Sequence, residues 1–503
     1  MDVFNNIIMG FGVAMTPTNL GLCLIGALVG TLVGVLPGIG TIATVAMLLP
    51  ITFGLPPVGA LIMLAGIYYG AQYGGSTTSI LVNIPGEAGS VVTTLDGFQM
   101  AKQGRAGPAL AIAAIGSFFA GCVATVLIAV LGAPLTKFAL AFGPAEYFSL
   151  MVLGLVFAVV LAKGSVLKAL AMIVFGLLLS MVGSDLETGA SRMAFNIPEL
   201  ADGLGFATVA MGVFGFAEII RNLDASAAMD RDLVQQKVTG LMPTKRDLID
   251  STPAILRGTV IGSILGILPG GGAVIASFAA YTLEKKISKN PSRFGRGAIE
   301  GVAGPESANN AAAQTSFIPL LTLGIPPNAV MALMVGAMTI HGIVPGPQVM
   351  QKQPELVWGM IASMWIGNLM LVIINLPLVG IWVRLLRVPY RLLFPCILIF
   401  CSIGIYSVNN APTDVVLAGA FGLVGYWLIK HDFEPAPMLL GMVLGPLMEE
   451  NLRRAMLISR GDATVFVTRP LSASLMGLAA ILLIIAVLPA IRKRREEVFV
   501  EDS

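Results

Sequence analysis

The sequence predicts an all-α polytopic membrane protein, built as an inverted-topology repeat with paired re-entrant, broken-helix hairpins. Three observations predict it. Of 503 residues, 56% are hydrophobic and only 12% charged, whereas soluble domains carry about 25% charged residues. The string Leu-Pro-Gly-Xaa-Gly occurs twice, each time closing a glycine ladder. The first copy is Gly26, Gly30, Gly34, Leu36, Pro37, Gly38, Gly40; the second is Gly258, Gly262, Gly266, Leu268, Pro269, Gly270, Gly271, Gly272. Finally, the positive charges around the two copies place them on opposite faces of a bilayer.

Each element follows from its residues. Glycine at every fourth position lines one helix face and lets two backbones approach closely. Pro-Gly-Xaa-Gly then breaks the helix and frees N–H and C=O groups that no intrahelical bond satisfies. In hydrocarbon such groups are tolerated only against protein, water or a ligand. Broken helices at matching places in two halves of an apolar chain are the pattern of a secondary transporter's binding site.

The halves match beyond the motif. Thr94-Leu95-Asp96-Gly97 aligns with Thr339-Ile340-His341-Gly342, Ser117 and Gly121 with Ser363 and Gly367, and Phe148 with Phe394. Phe175-Gly176-Leu177 aligns with Phe421-Gly422-Leu423. The offset widens after the first match and then holds, which implies insertions between residues 283 and 339. Residues 1–101 contain no Lys or Arg, while Lys245, Arg246, Arg257, Lys285, Lys286, Lys289, Arg293 and Arg296 flank the second ladder. By the positive-inside rule the first hairpin opens outside the cytoplasm and the second inside it. The N-terminus is therefore expected in the periplasm, and the basic run Arg492-Lys493-Arg494-Arg495 in the cytoplasm. No cleavable signal is expected, since residues 1–20 lack a basic start and a small-residue cleavage site.

The expected division is 1–220 for the first repeat, 221–257 for a cytoplasmic linker, 258–456 for the second repeat, and 457–503 for an appended helix and basic tail. Arg453, Arg454, Arg460 and Arg469 fit this topology poorly: either the stretch 437–450 is re-entrant, or these arginines meet a partner, the favoured expectation, or the anionic ligand. The four cysteines sit in apolar runs and are expected as small core residues.

A second polar interruption is expected after each hairpin. In the first half it is Gly74-Gly75-Ser76-Thr77-Thr78-Ser79 and then Asn83-Ile84-Pro85-Gly86-Glu87; in the second, Glu306-Ser307-Ala308-Asn309-Asn310, Gln314-Thr315-Ser316 and Gly324-Ile325-Pro326-Pro327-Asn328. Hydroxyls and amides replace the hydration shell of Na⁺ and hydrogen-bond carboxylates. Helices restarting after Gly40 and Gly272 add positive dipole ends suited to an anion.

The expected substrate-binding residues are Pro37, Gly38, Gly40, Thr41, Ser76, Thr77, Thr78, Pro269, Gly270, Gly271, Gly272, Asn310, Thr315 and Ser316. Gly38, Asn83, Asn309 and Glu306 are the expected Na⁺ ligands. Glu306 lies in an apolar stretch, where a charge costs about 3 kcal/mol or more unless paired. Glu87 and Asp96 are expected near an interface holding loops, and His341 at a helix end.

Near-neutral charge (30 Lys+Arg, 28 Asp+Glu) gives no reason for a nucleic-acid partner. No HExxH, CxxC, GKS/T or GxSxG string occurs, so zinc, ATP and serine-nucleophile chemistry are not expected, and the chain reads as no enzyme. A passive channel fits poorly, because the polar clusters are discontinuous and the hairpins are glycine-packed. A cation/proton antiporter using Glu306 is the main rival to a symporter.

These residues carry a resemblance. The first glycine ladder with Pro37-Gly38, the run Leu95-Asp96-Gly97-Phe98-Gln99-Met100-Ala101-Lys102-Gln103-Gly104-Arg105-Ala106-Gly107, the run Pro305-Glu306-Ser307-Ala308-Asn309-Asn310-Ala311, and Glu449-Glu450-Asn451-Leu452-Arg453-Arg454-Ala455 resemble the large membrane subunit of the tripartite tricarboxylate transporters, the TctA family. The likeness covers nearly the whole chain. It implies an elevator-type symporter in a bacterial inner membrane, importing citrate or related carboxylates with co-transported Na⁺ or H⁺ and no other cofactor. Its implied partners, besides the lipid bilayer, are a small TctB-like membrane subunit and a TctC-like periplasmic solute-binding protein.

Overall fold

The computed structural model describes residues 3–36, 40–139, 142–161, 165–185, 190–226, 240–268, 272–385 and 390–487. It is 81% helical, and the strands among the described residues are one two-residue pair, β1 (Gly183–Ser184) antiparallel to β2 (Ser191–Arg192). Five described helices are long and apolar enough to cross a membrane: Pro17–Val35, Ala106–Lys137, Lys245–Ile267, Pro354–Asn375 and Pro412–Lys430. The all-α, multi-pass expectation holds.

In chain order, α1 (Val3–Ala14), α2 (Pro17–Val35) and α3 (Thr41–Leu48) lead into α4 (Pro57–Val82), α5 (Val91–Lys102) and α6 (Ala106–Ala139). Helices α7 (Pro144–Leu161) and α8 (Val166–Ser180) precede the strands; α9 (Phe206–Ala210) passes through a π-helical turn, Met211–Phe216, into α10 (Ala217–Ser226). Next come α11 (Lys245–Ile267), α12 (Gly272–Ile287), α13 (Glu300–Thr315), α14 (Phe317–Leu323), α15 (Ala329–Ile340) and α16 (Pro347–Lys352). The remaining helices are α17 (Pro354–Asn375), α18 (Val379–Leu385), α19 (Tyr390–Asn409), α20 (Pro412–Lys430), α21 (Ala436–Ile458), α22 (Val465–Thr468) and α23 (Pro470–Val487).

The two glycine ladders pack alike. A Cβ on Gly26, Gly30 or Gly34 of α2 would strike the carbonyl oxygen of Met63, Ile67 or Ala71 on α4. On α11, a Cβ on Gly258, Gly262 or Gly266 would strike that of Gly304, Ala308 or Ala312 on α13. Helix α4 returns the contact with its own glycines, a Cβ on Gly70 falling 2.9 Å from Ala27 O. Each broken helix thus lies backbone to backbone on the polar helix two elements downstream. Helix α4 is buried from Gly59 to Leu81, inside a core that includes Phe317 of α14, Met331 of α15 and Trp358 of α17.

Helix α2 ends at Val35 and α11 at Ile267, and the chain resumes with Gly40 at φ +44° and Gly272 at φ +49°. Beyond the breaks the two halves diverge. Helix α12 folds back along α11 and α13, fastened by Arg257 to Glu284 at 2.7 Å and 2.6 Å. Helix α3 leaves α2 and packs its Ala43 and Met47 against Met211 and Phe216 of the π-helical turn. The expected pair of hairpins is therefore one hairpin and one break that leads elsewhere, because the apolar face of α3 is covered by residues from the end of the first half and from α19 and α20.

Three further expectations are corrected. The polar strings 74–79 and 306–315 lie inside the continuous helices α4 and α13. The interruptions come later, at Asn83 (φ +57°) and Gly324 (φ +75°), each just ahead of a proline. Helix α11 begins at Lys245 under a Thr244–Asp247 capping box, so the expected 257/258 border falls inside a helix. Helix α21 likewise runs across the expected 456/457 border.

The arginines expected to meet a partner are mostly paired within the chain. Arg453 holds Asp185 at 2.7 Å and Glu449 at 2.6 Å, Arg469 holds Glu146 at 2.7 Å, and Arg454 holds Glu450. Asp185 beside the strands and Glu146 on α7 are remote in sequence, which is why the sequence left these charges unmatched. Cys23 and Cys401 are buried and Cys122 half-buried, all free thiols. The basic tail lies outside the described residues.

Candidate functional site

Glu306 is the centre of a buried polar seam between α4, α5, α6 and α13. It is fully buried, and its two carboxylate oxygens accept hydrogen bonds from Ser76 of α4 and Thr93 of α5. One turn further along α13, Asn309 Nδ2 donates to Glu87 Oε1 at 3.1 Å. Asn310 Nδ2 donates to Ser117 Oγ of α6 at 2.7 Å and to the Glu306 carbonyl at 3.1 Å. Gly89 sits so near Asn309 Oδ1 that a Cβ there would overlap it. The loop after α4 is therefore pressed onto the seam and brings a second carboxylate, Glu87, beside it.

A carboxylate in this position has few physical options. Burial without a partner costs several kcal/mol, so a buried acid must be neutral or compensated by hydrogen bonds or a cation. Two hydroxyl donors supply part of that compensation, and among the described residues the ion pairs of Arg105 and Arg257, on the neighbouring elements, go to Asp247 and Glu284 and not to Glu306. The arrangement suits a proton or a hard monovalent cation.

Of the expected residues, the structure brings Ser76, Glu306, Asn309 and Asn310 together, and Thr77 lies next to Ser76 on α4. Thr78 does something else: its hydroxyl donates to Val35 O at 2.9 Å, satisfying a carbonyl that the break in α2 leaves open. Thr315 donates to Ala311 O at 3.0 Å and abuts Gly266, so it belongs to the ladder contact. Ser316 donates to Ala313 O at 2.6 Å. These three hydroxyls serve the main chain: Thr315 and Ser316 bond a preceding carbonyl of their own chain segment, as Ser and Thr in helices readily do, and Thr78 bonds across to the end of α2. Asn83 is exposed in the left-handed region and caps α4, away from the buried amides.

Gly40 and Gly272 each face open space, where an added Cβ would meet nothing within 4 Å. Thr41, at the first turn of α3, is buried with a hydroxyl that has no partner among the described residues. Pro37, Gly38, Pro269, Gly270 and Gly271 lie outside the described residues.

Sequence reasoning missed Thr93, Ser117, Asn375 and the burial beside Glu87. Thr93 lies one turn before Asp96, and Ser117 was visible as a repeat match with Ser363, a usable signal that pointed to packing and not to the site. Asp96 holds a loop as expected, but from a fully buried position. Its Oδ1 accepts from Gly295 N at 2.9 Å, Gly297 N at 2.8 Å and Ala298 N at 2.8 Å, and its Oδ2 from Tyr281 at 3.0 Å. It thereby fixes the start of α13. Asp96→Ala strands three backbone donors at about 1–3 kcal/mol each, so it should lower the melting temperature of the detergent-solubilised protein sharply. An unchanged melting curve would remove Asp96 from this role. His341 caps the end of α15, as its sequence position implied.

Five described helices long and apolar enough to span a bilayer, packed through glycine ladders around a buried carboxylate seam, define a multi-pass membrane protein. Residues 20–440 match the model of the Tripartite tricarboxylate transporter TctA family, and the chain belongs to that family. It is 61% identical over 503 residues, 100% of each chain, to an uncharacterized 52.8 kDa protein in the TAR-I ttuC′ 3′ region of Agrobacterium vitis. It is also 68% identical over 242 residues, 48% of this chain and 100% of the other, to an uncharacterized protein in the TAR-II ttuC′ 3′ region of the same organism. No solved structure matches the chain.

Proposed function

We propose that this chain is the large membrane subunit of a binding-protein-dependent symporter that imports tricarboxylates such as citrate, or related carboxylates, driven by a Na⁺ or H⁺ gradient. The observation that carries the reading is Glu306, fully buried where α4, α5 and α13 meet and held by hydroxyls of Ser76 and Thr93. A carboxyl so placed exchanges a proton or cation as the protein changes state, and its negative charge argues against its binding the anionic substrate directly. The carboxylate binds instead at the helix restarts, where Thr41 offers an unpartnered hydroxyl and α3 a positive dipole end.

In this reading the protein lies in a bacterial inner membrane, with its N-terminus periplasmic and its C-terminus cytoplasmic. A small TctB-like subunit accompanies it, and a TctC-like periplasmic protein delivers the substrate. The two ladder pairs, α2 with α4 and α11 with α13, belong to the two inverted repeats, and one transport domain moves against a scaffold as an elevator. The same buried Glu306 also favours a second reading, a cation/proton antiporter that carries no carboxylate.

Reconstitution decides between them. With all three components in proteoliposomes, labelled citrate uptake should rise under an inward Na⁺ or H⁺ gradient and vanish without the binding protein. Cation exchange that proceeds without any carboxylate, or uptake indifferent to both gradients, would overturn the symporter.

A further inference from the structure

We infer that a small cavity between α4, α6 and the end of α17 is a Na⁺ site, formed by uncharged oxygens of Ser76, Thr77, Ser117 and Asn375. The inference rests on the reading of the chain as a cation-coupled importer, and it moves the cation away from the expected ligands Asn83 and Asn309. Those four polar residues line the cavity together with Tyr73 and apolar side chains of α6, and it has room for about one water-sized particle.

The chemistry of the lining selects the ligand. Asn375 is 5% exposed, and its Oδ1 has no hydrogen-bond partner among the described residues. Its orientation is set by the amide nitrogen, which donates to Leu371 O at 2.9 Å and Thr31 Oγ1 at 3.3 Å. A buried carbonyl-type oxygen left open costs about 1–3 kcal/mol, so its natural complement is a cation or a donating water, and the other lining groups decide between them.

The hydroxyls are arranged to accept. Ser76 directs its single proton at Glu306, with Gln72 O within reach as the alternative acceptor, and Thr77 directs its own at Tyr73 O. Ser117 receives the Asn310 amide on one side, which leaves its second lone pair for the cavity. Oxygens whose protons are committed elsewhere replace the hydration shell of a small hard cation. A divalent ion would need carboxylates in direct contact, and none lines the cavity. An anion would need several converging donors, and with the Asn375 amide occupied and the Ser76 and Thr77 protons turned elsewhere, Ser117 alone of the four has a proton to offer. Glu306 stands one hydrogen bond away through Ser76 and supplies the neutralising charge.

The test uses the full chain purified into lipid nanodiscs, with radioactive Na⁺ as the probe. Wild type should bind Na⁺ saturably. Asn375→Ala and Ser117→Ala should each raise the half-saturation concentration about tenfold or more, a loss of roughly 1.4 kcal/mol, while Gly419→Ala on α20, remote from the cavity, should bind as wild type. Asn375→Asp keeps the shape, adds charge and should bind Na⁺ more tightly, which keeps the proposal testable where an alanine variant does not fold.

Wild-type affinity in all of Asn375→Ala, Ser117→Ala and Asn375→Asp would overturn the site, as would a wild-type chain that binds no Na⁺; the cavity would then hold water only. Citrate uptake under a pH gradient, measured in parallel, separates that failure from failure of the importer reading: uptake persisting without Na⁺ binding removes this site and leaves the symporter standing.

Discussion

Valine in place of Gly262 should leave almost no folded protein in the membrane. The ladder contact is backbone on backbone: a Cβ at this position would overlap the carbonyl of Ala308, and its nearest neighbours also include the Ala308 carbonyl carbon at 2.8 Å. No side chain can rotate away to relieve the overlap, so α11 and α13 must separate. Overpacking of this kind costs about 1–3 kcal/mol where flexible side chains absorb it, and more where only backbone can move. Gly34→Val on α2 should behave the same way, because a Cβ there meets Gly75 N at 2.8 Å and Gly74 Cα at 2.9 Å. The control is Gly419→Ala on α20, where a Cβ meets nothing within 4 Å and the helix gains up to about 1 kcal/mol from the better helix former. The measurement is monodisperse yield and melting temperature after solubilisation. Normal yield of Gly262→Val would show that the two helices are not in contact as described.

Glu306→Gln should be the most damaging substitution that still folds. Glutamine keeps the shape, yet it offers a single acceptor oxygen to Ser76 and Thr93 and turns two donors toward the other hydroxyl, a cost of about 1–3 kcal/mol. The larger effect is on transport. With no carboxyl to take up and release a proton or balance a cation, gradient-driven citrate uptake should fall at least about tenfold, each tenfold step being roughly 1.4 kcal/mol. Substrate exchange across the membrane without a gradient should survive better than net uptake, because the helix restarts at Gly40 and Gly272 are untouched. An antiporter would lose all ion exchange instead. If coupled uptake is unchanged, Glu306 is a structural hydrogen-bonding group and the seam is not the coupling element.

Much of this was legible in the sequence because it depends on local chemistry. A glycine ladder followed by Pro-Gly announces close helix packing and a break, and an acid such as Glu306 in an apolar stretch announces a compensated charge. The candidate site was only half legible. Ser76, Asn309 and Asn310 were found because they cluster along the chain near Glu306 or at its repeat counterpart. Thr93 is 213 residues from Glu306 and Ser117 is 193 from Asn310, so no window on the sequence joins them. Thr78 and Thr315 looked like ligand groups by composition, and only their geometry shows that each serves a main-chain carbonyl. Arg453 and Arg469 looked unmatched for the same reason, since Asp185 and Glu146 reach them only through the fold.

By itself the sequence determined that this is an apolar, all-helical membrane chain, that it breaks at two matching Leu-Pro-Gly-Xaa-Gly motifs, and that it buries Glu306. Each of these follows from the transfer energy of side chains and from what proline and glycine do to a backbone, which act within a few residues. The tertiary structure alone decided that the polar strings stay helical, that α12 closes a hairpin while α3 does not, and which hydroxyls face Glu306 or the cavity at Asn375. Those outcomes depend on which distant surface satisfies a buried polar atom, and in a medium without water that choice is made by packing between helices.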